Sequence, residues 1–175
     1  MKNEWRKTDQ PLLPYEKPST HEGYYDIYPS FKLDENKIFE GFESLAEVFT
    51  KHKTVILDGY VGVFFDQFRD NLDAALKKRG IRTSWKSTSE FLKPPAIIEK
   101  LVSPFTGGDD PLFGKRTSLR LEDFYDINLL QEAKPDPDAG LNLIIGAGAS
   151  LSGWNGILIY IDIPKNEIQF RAKGR

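Results

Sequence analysis

A chain of 175 residues with 24 Lys and Arg against 26 Asp and Glu carries a formal charge of −2. That balance argues against broad nucleic-acid binding, which needs a basic excess. The absence of cysteine excludes disulfide scaffolds, thiolate metal centres and Cys nucleophiles. His21 and His52 lie in polar surroundings and cannot build a multi-histidine metal site. No apolar run reaches the roughly 20 residues that span a bilayer, and Met1-Lys-Asn-Glu-Trp-Arg lacks the apolar stretch of a secretory signal. The chain therefore reads as soluble and cytoplasmic, one domain with a terminal extension.

Residues 1–30 are polar and punctuated by Pro11, Pro14, Pro18 and Pro29. Each proline removes a donor and turns its predecessor away from the helical region, so this stretch is expected to be an extended arm before a domain over 31–175. Phe39, Phe42, Leu45, Ala46 and Phe49 recur at helical spacing with Glu40, Glu43, Glu47 and Lys51 opposite. They predict an amphipathic helix of about 12 residues. Thr54-Val-Ile-Leu-Asp-Gly59 reads as a buried strand. A second helix carries Phe65, Phe68, Leu72, Ala75 and Leu76, and Lys77-Lys-Arg-Gly80 closes it.

Residues 81–88 read as a strand, and Pro94-Pro95 opens a helix over Ala96 to Val102 with Ile97, Ile98 and Leu101 turned inward. Residues 103–116 are loop chemistry. A short strand over Ser118 to Leu121 and a helix over Glu122 to Glu132 follow, then the turn Asp136-Pro-Asp-Ala-Gly140. Leu141-Asn-Leu-Ile-Ile-Gly146 and Gly156-Ile-Leu-Ile-Tyr-Ile-Asp162 are continuously apolar and β-branched, as strands covered on both faces are. Strands alternating with helices predict an α/β fold with a mainly parallel sheet.

Strand, loop and helix at Val55 to Asp66 place Gly59, Tyr60 and Gly62 where phosphate loops sit, with backbone N–H groups and a helix start to meet an anion. A working loop continues Gly-Lys-Ser/Thr; here Val63, Phe64 and Phe65 follow Gly62, and Asp58 and Asp66 add negative charge. A tight structural turn and a stripped-down phosphate site both fit these residues. Gly146-Ala-Gly-Ala-Ser, with Gly146 and Gly148 at the end of a strand, suits either ligand approach or close packing. Asp109-Asp110 could hold Mg²⁺ through oxygen ligands or be solvated turn residues. Glu167 and Arg171 form an i,i+4 pair, and Arg171, Lys173 and Arg175 form a basic cluster that could face a phosphate.

Tyr25-Asp-Ile-Tyr-Pro29, Gly41-Phe-Glu-Ser-Leu45, Asp58-Gly-Tyr-Val-Gly-Val63, Asp110-Pro-Leu-Phe-Gly114, Leu121-Glu-Asp-Phe-Tyr-Asp126, Gly146-Ala-Gly-Ala-Ser-Leu151 and Ile159 through Arg171 occur in an order that resembles one bacterial group. It is the N-terminal half of class I mannose-6-phosphate isomerases of the kind in which a uridine-kinase-like P-loop domain precedes a cupin-like half. The resemblance implies a three-layer α/β sandwich of degenerate P-loop type, short of its last strand. It implies either a fragment of a longer protein whose zinc-binding isomerase half lies beyond this sequence or a chain that completes its sheet with a partner, and a kinase-like half without the Walker lysine and hydroxyl. The expected role is a non-catalytic or regulatory domain binding a nucleotide, with Mg²⁺, or a sugar phosphate. Gly59, Tyr60, Gly62, Gly146, Gly148, Arg171 and Lys173 would line that site, with no nucleic-acid or membrane partner. An alternative is an interaction module that docks a partner through the aromatic arm (Trp5, Tyr15, Tyr24, Tyr25, Tyr28) and an open sheet edge. A third reading is a small-molecule kinase with Asp58 or Asp66 as base and Lys93 as phosphate cation.

Overall fold

The computed structural model describes residues 23, 34, 35, 37–108 and 114–173. The chain divides after Ile38 into two units. Apart from Gly23, the arm expected over residues 1–30 lies outside the described residues, as do His21 and Asp109-Asp110. The elements of the second unit are α1 (Gly41–Phe49), β1 (Thr54–Gly59), α2 (Phe65–Lys78), β2 (Thr83–Ser87), α3 (Pro95–Val102), α4 (Ile127–Glu132), β3 (Leu141–Ile145), β4 (Ile157–Ile161) and α5 (Lys165–Lys173). The expected α/β class with a parallel sheet is what the chain adopts.

The sheet runs β2-β3-β1-β4, and every pair is parallel, with Val55 opposite Leu143 and Ile157, and Trp85 opposite Leu143. β1 and β3 are buried almost throughout, which is why their sequences are apolar without alternation. One face packs Val55, Leu57, Leu141, Leu143 and Ile145 against Ala46 and Phe49 of α1 and Leu72, Ala75 and Leu76 of α2. The other face packs Ile56 and Ile144 against Leu130 of α4 and Ala149 and Trp154 of the β3–β4 connection. Each fully buried aliphatic side chain contributes roughly 1.5–3 kcal/mol. Helical structure therefore covers both faces of the sheet.

Several boundaries differ from the sequence expectation, each for a local reason. α1 begins only at Gly41, since Ile38 and Phe39 are 74% and 65% exposed and bury no face. The strand expected over Ser118 to Leu121 is absent: residues 114–120 are irregular, and Leu121–Phe124 form a 3-10 turn. The helix expected over Glu122 to Glu132 breaks there and restarts at α4, where the Asp126 carboxylate accepts the Leu129 N–H as an N-cap. α3 forms as expected, but none of its residues is buried, and Ile97 faces outward. β4 was expected to be covered on both faces. It is instead an edge strand with Leu158 and Tyr160 exposed, because apolar composition does not report position within a sheet.

Residues 93–124 leave and rejoin the domain at one narrow neck. Leu92 bridges Tyr125 in antiparallel fashion, Lys93 N–H donates to the Phe124 carbonyl, and Asp126 N–H donates to the Phe91 carbonyl. Lys93 Nζ adds a bond to the Asp123 carbonyl at 2.8 Å. None of the described residues within this excursion is buried.

Asp73 ties α2 to β2 by accepting from Thr83 Oγ1, Trp85 Nε1 and Lys77 Nζ. Burial pushes its carboxyl up, but the bonds from Lys77, Trp85 and Thr83 outweigh this and hold it below the ordinary carboxylate range. A depressed carboxyl gives stability that is present above its unfolded value, about pH 4, and is lost as pH falls through the lower folded value. In acid unfolding curves, Asp73→Asn is therefore expected to lose less stability than the unmodified chain below about pH 4. Parallel curves would show that these bonds do not couple folding to the charge.

Candidate functional site

The connections of adjacent strands β1 and β3 leave toward opposite faces, β1 to α2 and β3 to the Gly146–Gly156 segment. Open α/β sheets take ligands at the carboxyl ends of strands whose connections diverge in this way. Asp58, the next-to-last residue of β1, forms the inner part of this strand-end site. Its Oδ1 accepts Gly59 N–H at 2.7 Å and Gly148 N–H at 2.9 Å; its Oδ2 accepts Ser150 N–H at 3.0 Å and Ser150 Oγ at 2.6 Å. Gly148 leads into a 3-10 turn over Ala149–Ser152, so a nest of N–H groups, suited to an anion, already holds the chain's own carboxylate.

The two glycines of this loop serve close packing. A Cβ on Gly146 (φ +133°) would lie 2.0 Å from Thr88 Oγ1, and one on Gly148 would meet Tyr125 and the Leu121 and Leu151 side chains at 3.2–3.3 Å. The Tyr125 hydroxyl donates to the Ala147 carbonyl at 2.6 Å. Burial pushes the Tyr125 phenol up; the Thr88 hydroxyl pulls it down and the Asp58 charge pushes it up further.

The β1–α2 loop forms the outer part. Tyr60 N–H donates to the Ile161 carbonyl and Val63 N–H to the Tyr60 carbonyl, both at 3.3 Å. The loop thus crosses the end of β4 and turns into α2. Gly62 makes this turn at φ +103° beneath Ile168 of α5, a conformation that glycine adopts without penalty. Tyr60 and Val61 project to solvent, and Phe64 is half-exposed.

α5 brings Arg171 to this loop. Its Nη1 donates to the Gly62 carbonyl at 2.7 Å, its Nε pairs with Glu167 Oε1 at 2.9 Å, and the guanidinium lies 4.2 Å from the Phe64 ring centroid. Lys173 ends the same helix, and its side chain lies outside the described residues. The structure thus brings Arg171 onto the loop of Gly59, Tyr60 and Gly62 at the Gly62 carbonyl and places Gly148 in the Asp58 nest, while the Gly146 N–H is taken by the Leu57 carbonyl.

Other charged residues singled out in the sequence stand apart or are engaged. The Asp66 side chain is 90% exposed at the start of α2, and Lys93 is tied to the neck. Among the described residues, no group of His, Asp and Glu is arranged to hold a metal ion, and no helix is long and apolar enough to cross a membrane. Open grooves of about 370 and 670 Å³ run along α1 and beside α3, and neither reaches the strand-end loops.

A family described as a domain of unknown function, DUF8485, matches residues 41–175. The chain belongs to this family. No curated protein and no solved structure matches it. The DUF8485 match begins at the first residue of α1 and takes in the whole sheet, the Asp58 nest and the Arg171 contact. In the sequence, Asp58 reads only as a charge that repels phosphate or as a base. The signal for its observed role was an Asp at a strand end paired with a Gly-x-Gly-x-Ser loop after another strand, which offers it N–H groups and a hydroxyl.

Proposed function

We propose that this DUF8485 domain is a non-catalytic ligand-binding domain that receives the phosphate of a nucleotide or sugar phosphate on the Gly59–Gly62 loop. The observation that carries the reading is the Arg171 guanidinium seated on the Gly62 carbonyl, beside the start of α2. A guanidinium offers five N–H donors in a fork suited to phosphate oxygens. The parallel order β2-β3-β1-β4, with β1 leading through this loop into α2, supports a degenerate P-loop architecture of uridine-kinase-like type. Residues 60–64, Tyr-Val-Gly-Val-Phe, supply neither the lysine nor the hydroxyl that phosphoryl transfer uses, and Asp58 is engaged by four donors. Binding without turnover is the chemistry this leaves. The sequence resemblance supports a regulatory place for such a domain within a mannose-6-phosphate-isomerase-like protein.

Thermal melting with millimolar ATP, GTP or mannose 6-phosphate, each with Mg²⁺, tests the reading. A ligand at about 100 times its Kd stabilises by about 2.7 kcal/mol, or roughly 5–10 °C for a domain of this size. Arg171→Ala is expected to remove that shift. Flat melting temperatures across all three ligands would refute the proposal.

A further inference from the structure

Arg171 already carries an anion. Its Nε bonds Glu167 Oε1 at 2.9 Å, and the two side chains are only 19% and 22% exposed. The pair is thus partly removed from water, where charge–charge contacts are stronger than at an open surface. Phe64 covers one face of the guanidinium and the Gly62 carbonyl takes Nη1, so the edge that carries Nε is committed to the carboxylate. A carboxylate and a phosphate present the same kind of acceptor oxygen to a guanidinium fork.

We propose that Glu167 is a built-in competitor for the phosphate: its carboxylate occupies a place on Arg171 that a ligand oxygen would take, so that binding at the Gly59–Gly62 loop is an exchange of one anion for another. This rests on the phosphate-binding reading of the same loop and adds to it a residue that sets affinity. Glu167 stands one helical turn before Arg171 on α5, so the pair forms wherever that helix forms. The native chain accordingly rejects weakly charged anions and admits those whose charge outweighs a single carboxylate. Removing the Glu167 charge leaves the guanidinium uncompensated while its contacts to Gly62 and Phe64 persist.

The test is calorimetric titration of the full chain with inorganic phosphate and with mannose 6-phosphate, alongside melting curves. Glu167→Gln keeps the length and one acceptor oxygen of the side chain and is expected to bind about five- to tenfold more tightly than the native chain. Its melting temperature should rise more steeply with phosphate. Adding Arg171→Gln to it should abolish the gain. Glu167→Asp, which retains the charge on a shorter stem, should fall between and serves if Glu167→Gln folds poorly. Equal or weaker binding by Glu167→Gln, with binding by the native chain intact, overturns the competitor role and leaves the phosphate site standing. Binding by Glu167→Gln alone supports the competitor and refutes the native phosphate site. Silence from every variant refutes both.

Discussion

Asp58→Ala is expected to destabilise the domain by roughly 3 kcal/mol, a fall in melting temperature of roughly 6–12 °C. The carboxylate is the shared acceptor for Gly59 N–H, Gly148 N–H, Ser150 N–H and Ser150 Oγ, and Asp58 itself is 7% exposed. The Ser150 hydroxyl can turn to water. The backbone donors cannot, and an N–H left without an acceptor in a buried site costs about 1–3 kcal/mol. Asp58→Asn should lose about half as much, because its carbonyl can still serve Gly59 and Gly148 while its amide faces the donors of Ser150. Urea unfolding of the three proteins would measure this. Formate is expected to restore part of the stability of Asp58→Ala by filling the vacated nest, and to leave Asp58→Asn unchanged. Unaltered stability in Asp58→Ala would mean that the nest contributes nothing to the fold.

Gly146→Ala should cost about as much, roughly 3 kcal/mol, by a different route. The new Cβ would fall 2.0 Å from Thr88 Oγ1 in a backbone conformation of φ +133°. Thr88 is 2% exposed and has little room to retreat. Thr88→Ala removes the atom that is struck and leaves the backbone penalty. The double variant Gly146→Ala/Thr88→Ala is therefore expected to be more stable than the sum of the two single losses predicts, by about 1–2 kcal/mol. Strict additivity would show that backbone strain alone accounts for the cost.

The parts of the fold that were legible in the sequence are those whose side-chain period reports their surroundings. Leu72, Ala75 and Leu76 repeat at helical spacing and are buried on α2; Val55 to Leu57 and Leu143 to Ile145 run apolar and are buried in the two central strands. Position within the sheet was not legible. Ile157 to Ile161 is as apolar as Leu141 to Ile145, yet it lies at an edge, because which strands neighbour it is decided by the crossover connections. Ile97 and Ile98 follow a helical period on α3, a helix that packs no core at all. From the sequence the strand-end glycine loop and Arg171 or Lys173 stand on opposite sides of a phosphate; the direct bond from Arg171 to the Gly62 carbonyl has no local pattern that announces it. The Asp58 nest was not legible either, since it joins Asp58 to residues 90 and 92 positions away that no local pattern connects.

The neck at Leu92 and Tyr125 has an evolutionary consequence. Because the excursion starts and ends at neighbouring positions, the sheet experiences it as a closed loop whose internal length does not affect strand register. Doubling such a loop costs only about 0.6 kcal/mol in closure entropy, and shortening it uncovers no core, as none of its described residues is buried. Within the family, gains and losses of sequence can therefore gather between Pro94 and Arg120, leaving the parallel sheet intact and sparing Leu121, which lies against Gly148 of one strand-end loop, while the surface beside them is rebuilt.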